Sequence, residues 1–298
     1  MSSFQAKLLL LSVFVARGTS FLFSKYLMHT MTPETILAVR FLISFAVLAA
    51  VFYKKLIACS REDVKGGILL GVTYSICMFF EMYGLRLVDS GVSSFIENMA
   101  IVLVPIYTSI LTRTLPERKT VICCLLAVAG VGFLSYSQMS GKLNIGVILV
   151  ILAALTYGVC IIMTKEVSRK GDPLTIGMLQ LGIMGAIFLL MSLLSGEFRL
   201  PSTGSEWSMI LMLAIVCSCF GFAFQPVAQK YLPAETAAVF TVMNPLTASV
   251  MGVVIAGEKL DLFVLTGYIL IIIALLQYNL SNHEDESKPE EESKPDVV

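Results

Sequence analysis

The sequence predicts an all-α membrane protein with ten transmembrane helices in two inverted five-helix repeats. Three observations carry that expectation. The 298 residues are 57% hydrophobic and only 14% charged, with a mean hydropathy of +0.85, against roughly 25% charge in soluble domains. Apolar runs of about 20 residues, enough to cross a ~30 Å hydrocarbon core, recur along the whole chain. One helical design is also written twice. Residues 90–119, SGVSSFIENMAIVLVPIYTSILTRTLPERK, begin small and polar, carry Pro105 and close on Glu117-Arg118. Residues 234–260, AETAAVFTVMNPLTASVMGVVIAGEKL, repeat the pattern with Pro245 and Glu258-Lys259. A duplicated helical design in a membrane chain implies a carrier built from two halves.

In order, the apolar spans fall at residues 7–28, 35–53, 65–87, 90–112, 120–138, 143–164, 174–195, 207–229, 234–256 and 262–281. The first has Lys7 before a run of nine residues, all apolar except Ser12, but Arg17-Gly18 follows without a small-x-small cleavage site and the apolar run resumes. A retained helix is expected there, not a signal peptide. Short connections make neighbours antiparallel. The expected organisation is a first repeat at 1–138, a second at 143–281, and an acidic tail at 282–298. That tail, with seven acidic and two basic side chains and two ESKP tetrapeptides, cannot bury enough surface to fold.

Loop charge sets the orientation. With the N-terminus inside, Lys54, Lys55, Arg61, Lys65, Arg113, Arg118, Lys119, Lys165, Arg169, Lys170 and Lys230 face the cytoplasm, against Arg86, Lys142, Arg199 and Lys259 outside. Both chain ends are then cytoplasmic, and the second five spans enter upside down relative to the first.

Motifs spread over residues 7–281 resemble the ten-helix EamA-type members of the drug/metabolite transporter superfamily. The first helix of that family commonly ends its apolar run in Trp-Gly-small-small-Phe; here Arg17-Gly18-Thr19-Ser20-Phe21 stands in that place, with arginine for the aromatic. Arg40 matches an arginine near the start of the second helix. Gly84-Leu85 and Asp89-Ser90-Gly91 match the turn between the third and fourth helices. Val102-Leu103-Val104-Pro105 with Pro116-Glu117-Arg118, and Pro245 with Gly257-Glu258-Lys259, match the ends of the fourth and ninth. The resemblance implies secondary transport in the inner or plasma membrane, with export of metabolites, amino acids or small amphipathic compounds.

Candidate site residues come from charges inside apolar spans, each of which costs about 2.5–3.5 kcal/mol to insert and usually faces a cavity or a partner. Arg40, Glu81 and Glu97 fall roughly 8–11 Å below the outer edge of the apolar zone at about 1.5 Å per residue, so they can meet. Arg17 falls near the midplane. Either Arg40 pairs with Glu81 or Glu97 as a structural lock, or Arg17 or Arg40 is a counter-charge for an anionic group on a cargo, or the charges line a wet vestibule. In the second case Glu81 or Glu97 is a candidate proton carrier. Lys25, near the outer end of the first span, is expected to snorkel. Tyr74 shares a helical face with Glu81, and Asn98, Tyr157, Gln180, Gln225 and Asn244 add donors and acceptors at intramembrane depth. Such residues serve as interhelical glue or as cargo contacts. Asn244-Pro245 stands out because proline frees a backbone carbonyl one turn earlier. The glycines at 67, 71, 130, 132, 182 and 185 read as close-packing positions.

Seven cysteines form no CxxC or Cys/His cluster and read as small hydrophobes. No cofactor or metal is expected. Neither Walker, GxSxG nor HExxH motifs occur, so the chain carries no recognisable nucleotide-hydrolysing or hydrolase site. The implied partners are a small-molecule solute and the lipid bilayer, not nucleic acid, for a monomer or homodimer. The expected function is a secondary-active transporter, an exporter working by alternating access with proton or exchange coupling, and not an enzyme. The alternatives are a passive channel, or a polytopic enzyme or lipid-handling protein that translocates nothing.

Overall fold

The computed structural model describes residues 1–113, 115, 118, 121–122, 125–126, 129–130, 133, 145–232, 237, 240–241, 243–258, 261–270 and 272–273, residue 101 for its backbone alone. Most of the expected span 120–138, the end of the span 262–281, the residues Pro116-Glu117 and the acidic tail lie outside the described residues. Every element among the described residues is helical. These are α1 (Ser3–Leu27), α2 (Pro33–Val51), the short α3 (Tyr53–Ile57), α4 (Arg61–Leu85), α5 (Ser90–Glu97), α6 (Ala100–Thr112), α7 (Ile145–Lys170), α8 (Pro173–Leu194), α9 (Gly204–Gln229) and α10 (Met243–Val254). Residues 262–270 are also helical. Seven of the described helical stretches are long and apolar enough to cross a membrane, counting α5 and α6 as one.

The helix starts follow local chemistry. Ser2 and Gln5 form a reciprocal capping box at α1, and Ser60 and Asp63 form another at α4. Proline occupies the first position of α2 and of α8, where its missing N–H costs no intrahelical bond. Asp172 caps α8 by accepting from the Leu174 amide at 3.3 Å.

The expected fourth span divides. After Glu97 the chain makes an i→i−3 bond from Met99 to Ile96 at 3.1 Å before α6 begins. Within α9, Leu213–Phe220 is wound as a π-helix between two α-helical arms, a winding that recurs at functional sites.

Packing is between the two halves of the chain. α4 lies against α7 and α8, α2 against α8, and α1 against α9 and α10. Small residues permit these approaches: a Cβ on Gly71 of α4 would meet Ile183 Cβ of α8 at 2.6 Å, and one on Gly185 of α8 would meet Leu42 of α2 at 2.9 Å. The aromatic rings of Phe14, Phe41, Tyr74, Tyr157, Phe188 and Phe222 fill the interior, while leucines such as Leu69, Leu190 and Leu211 point outward. Apolar side chains on both faces are what a lipid-embedded bundle requires.

Candidate functional site

The charged residues predicted from sequence converge. Arg17 and Ser20 of α1, Arg40 of α2, Met78 and Glu81 of α4, Glu97 of α5, Phe222 of α9 and Asn244 of α10 line one interior cavity. All four charged members are at most 5% exposed. The free space between them is about that of one water molecule.

The two arginines are held by neutral groups. Arg17 Nη1 donates to Gln225 Oε1 at 2.6 Å and to the Tyr157 hydroxyl at 3.2 Å. Gln225 Nε2 in turn donates to the Tyr74 hydroxyl at 3.1 Å. Arg40 Nε donates to Ser218 Oγ at 2.6 Å. Phe222 sits between the guanidiniums, with Arg17 Cζ 4.2 Å and Arg40 Cζ 5.9 Å from its ring centroid, close enough for cation–π attraction. No arginine nitrogen lies within 4.0 Å of a carboxylate oxygen of Glu81 or Glu97. The ion-pair lock between Arg40 and a glutamate is therefore not formed, although the three residues share one cavity.

The acidic side is equally exposed to that space. Glu81, Glu97 and Cys77 present one ligand-type atom each within 4.8 Å of one another. Cys77 Sγ lies 4.0 Å from Glu97 Oε1 and 3.6 Å from the Ala153 carbonyl. Among the described residues these three are the set that could hold a cation, but two guanidiniums line the same cavity and oppose one. Asn244 is 6% exposed and its Oδ1 has no hydrogen-bond partner among the described residues.

Spare guanidinium donors thus face spare carboxylate and amide acceptors across a narrow gap. Such a surface complements a molecule with both an anionic and a cationic end, because each buried charge needs a partner of opposite sign.

Of the residues singled out by sequence, Arg17, Arg40, Glu81, Glu97 and Asn244 line the cavity, and Tyr74 and Tyr157 support Arg17 from behind it. Asn98 is buried with both amide atoms unpaired among the described residues, but it does not line the cavity. Sequence reasoning missed Ser218 and Phe222, and singled out Gln225 as a polar residue beside Pro226 without pairing it to Arg17. Lys25, expected to snorkel, places its Nζ among polar groups: it donates to the Val88 carbonyl at 2.9 Å and pairs with Asp89 at 3.2 Å and Glu258 at 3.6 Å.

Long apolar helices around a buried charged cavity define a multi-pass membrane transporter, in contact with lipid outside and a small solute inside. The profile of the EamA-like transporter family matches residues 5–136 and again 144–280, and the chain belongs to that family, within the drug/metabolite transporter superfamily. An uncharacterized transporter of Archaeoglobus fulgidus is 28% identical over 270 residues, covering 88% of this chain and 82% of that protein. The uncharacterized transporter YetK of Bacillus subtilis is 24% identical over 293 residues, covering 93% of this chain and 87% of that protein. A protein of known crystal structure shares the fold, with a TM-score of 0.72 over 94% of this chain and 99% of its own, at 17% identity. Family and relatives alike point to transport and not to enzymatic catalysis.

Proposed function

We propose that this transporter is a secondary-active exporter of small ampholytes, amino acids or amphipathic metabolites, working by alternating access. Ten helices form two five-helix repeats, 1–138 and 143–281, inserted in opposite senses in the inner or plasma membrane, with both chain ends cytoplasmic. The twofold match of the family profile supports the duplication.

One observation carries the cargo class: Arg17 and Arg40 line the same cavity as Glu81 and Glu97 without pairing with them. A carboxylate on the cargo binds the guanidiniums and its ammonium binds the glutamates, so four charges that are uncompensated at contact distance become paired. Residues from α1, α2, α4, α5, α9 and α10 contribute, which supports a site between the two repeats. Space for about one water molecule does not admit an amino acid, so loading requires these helices to part and close again. Glu81 and Glu97 present carboxylate oxygens within 4.8 Å of each other, which supports proton or exchange coupling through this acidic pair.

A thermal-shift panel of amino acids, sugars and cationic drugs on the purified protein tests this reading. A ligand at about a hundredfold over its Kd stabilises by about 2.7 kcal/mol. Amino acids are expected to stabilise the wild type and to lose that effect in both Arg17→Ala and Glu81→Gln. If neither substitution alters any ligand response, the charged-cavity reading is wrong.

A further inference from the structure

At the end of α1 remote from Ser3, three elements meet through one carboxylate. Glu258, in the turn after α10, accepts the backbone amide of Ser90 at 2.9 Å, the Ser90 hydroxyl at 2.5 Å and the Gly91 amide at 3.3 Å. Those donors open α5, whose N-cap residue Asp89 makes no side-chain cap of its own. The first-turn amides of a helix carry partial positive charge, and the carboxylate of Glu258 supplies the missing acceptor. Lys25 Nζ of α1 lies 3.6 Å from the same carboxylate and 3.2 Å from Asp89. Deeper along α5, Phe95 stacks on Tyr268 with ring centroids 3.9 Å apart. Glu97, at the end of α5, lines the cavity, as do Ser20 and Phe21 of α1 and Asn244 of α10. Each of the three elements joined by Glu258 therefore also contributes to the lining of the cavity.

We infer that Glu258 is a latch that closes this face of the carrier, holding α10 of the second half onto α5 and α1 of the first. The inference rests on the alternating-access reading above. Cargo leaves or enters through this face only when the carboxylate releases the Ser90 and Gly91 amides and Lys25, and α10 swings away from α5. The charge-assisted bonds to one carboxylate set how rarely that happens. Gly252 of α10 gives the latch its room: a Cβ there would lie 2.9 Å from Glu258 Cδ and 3.1 Å from Ser90 Oγ.

Ser20→Cys in the full chain provides a reporter inside the cavity. A membrane-impermeant methanethiosulfonate is applied to right-side-out and to inside-out vesicles, and modification of that cysteine is followed by peptide mass. Glu258→Gln, which weakens the charge-assisted bonds, is expected to raise the rate from the latch face about tenfold. Gly252→Ala unseats the same carboxylate without removing a charge, and alanine in a helix interior favours the helix, so it separates latch loss from misfolding. It too should raise the rate from that face. If the reporter is modified from each face but neither variant changes the latch-face rate, the latch is overturned while alternating access stands. If the reporter is modified from one face only, or from neither, in every variant, alternating access fails and the latch with it.

Discussion

Arg17 Nη1 rests on Gln225 Oε1 at 2.6 Å, a neutral oxygen, although two buried carboxylates line the same cavity. A permanent internal ion pair would leave no affinity for a cargo. A neutral amide instead orients the guanidinium and fixes the Tyr74 hydroxyl with its other end, leaving the charge available. Gln225→Glu supplies Arg17 with a built-in carboxylate of nearly the same shape. Ligand stabilisation by amino acids is expected to fall at least tenfold in apparent affinity, a change worth about 1.4 kcal/mol, while the melting temperature without ligand holds or rises. A Gln225→Glu protein with wild-type ligand affinity would contradict this.

Gln225→Ala makes the opposite change. It removes a hydrogen bond to a charged group and leaves buried donors on Arg17, at a cost of about 1.5–3 kcal/mol. The measurement is thermal unfolding in detergent, where this variant should melt below both the wild type and Gln225→Glu.

Gly18 brings α1 against α10. A Cβ at that position would lie 2.7 Å from the Asn244 carbonyl oxygen and 2.7 Å from Thr247 Cβ. Backbone cannot yield as a side chain tip does, so Gly18→Ala should force the helices apart and destabilise by about 1–3 kcal/mol. Thermal unfolding checks it, with Gly204→Ala as a control, since nothing lies within 4 Å of a Cβ at Gly204.

The reach of sequence reasoning follows from what a single chain segment encodes. Charges inside apolar runs are conspicuous, so Arg17, Arg40, Glu81 and Glu97 were legible as candidates; the depths counted along each span grouped Arg40, Glu81 and Glu97 and set Arg17 apart, whereas all four line one cavity. Their partners were not. Gln225 lies 208 residues from Arg17, and Ser218 lies 178 from Arg40. Which face of α9 meets α1 and α2 depends on its π-wound stretch Leu213–Phe220, and no local periodicity announces an extra residue per turn. The partners of Lys25 were hidden because they are distant in sequence: its acceptors Val88 and Asp89 lie 63 and 64 residues away, and Glu258, 3.6 Å from its Nζ, comes from the far end of the chain. The apolar spans 35–53, 65–87 and 174–195 came within a few residues of α2, α4 and α8, whose starts are set by Pro33, by Ser60 with Asp63, and by Asp172-Pro173.

Asp172 ties α8 to the first half of the chain. Its carboxylate pairs with Lys55, and its amide donates to Asp63 Oδ1 at 2.7 Å. Partial burial raises its pKa, but hydrogen bonds from Lys55, Thr175 and the Leu174 amide outweigh that and hold it below the usual carboxylate value. A depressed folded-state pKa contributes stability above the unfolded value of about 3.9 that is lost as pH falls through the lower folded value. Asp172→Ala also removes a helix cap, worth about 1 kcal/mol. The variant should melt below the wild type at pH 7, with the gap narrowing as the pH is taken below about 4. A gap that stays constant over that range would contradict the ion-pair assignment.

The proposed pair of oppositely inserted five-helix repeats would place the chain ends on one side. Reporter tags fused before Ser2 and after Val298 should both be active in the cytoplasm and silent outside. Tags reporting opposite sides would break the antiparallel duplication.

Counterflow in proteoliposomes tests carriage itself. Vesicles are loaded with an unlabelled amino acid that stabilises the purified protein, and labelled amino acid is supplied outside. A carrier that turns over with cargo bound gives a transient internal accumulation of label above equilibrium, saturable in cargo and absent in Arg17→Ala. Label that only equilibrates, with no overshoot and no saturation, would mean a channel, and no entry at all would mean that this cavity does not move solute.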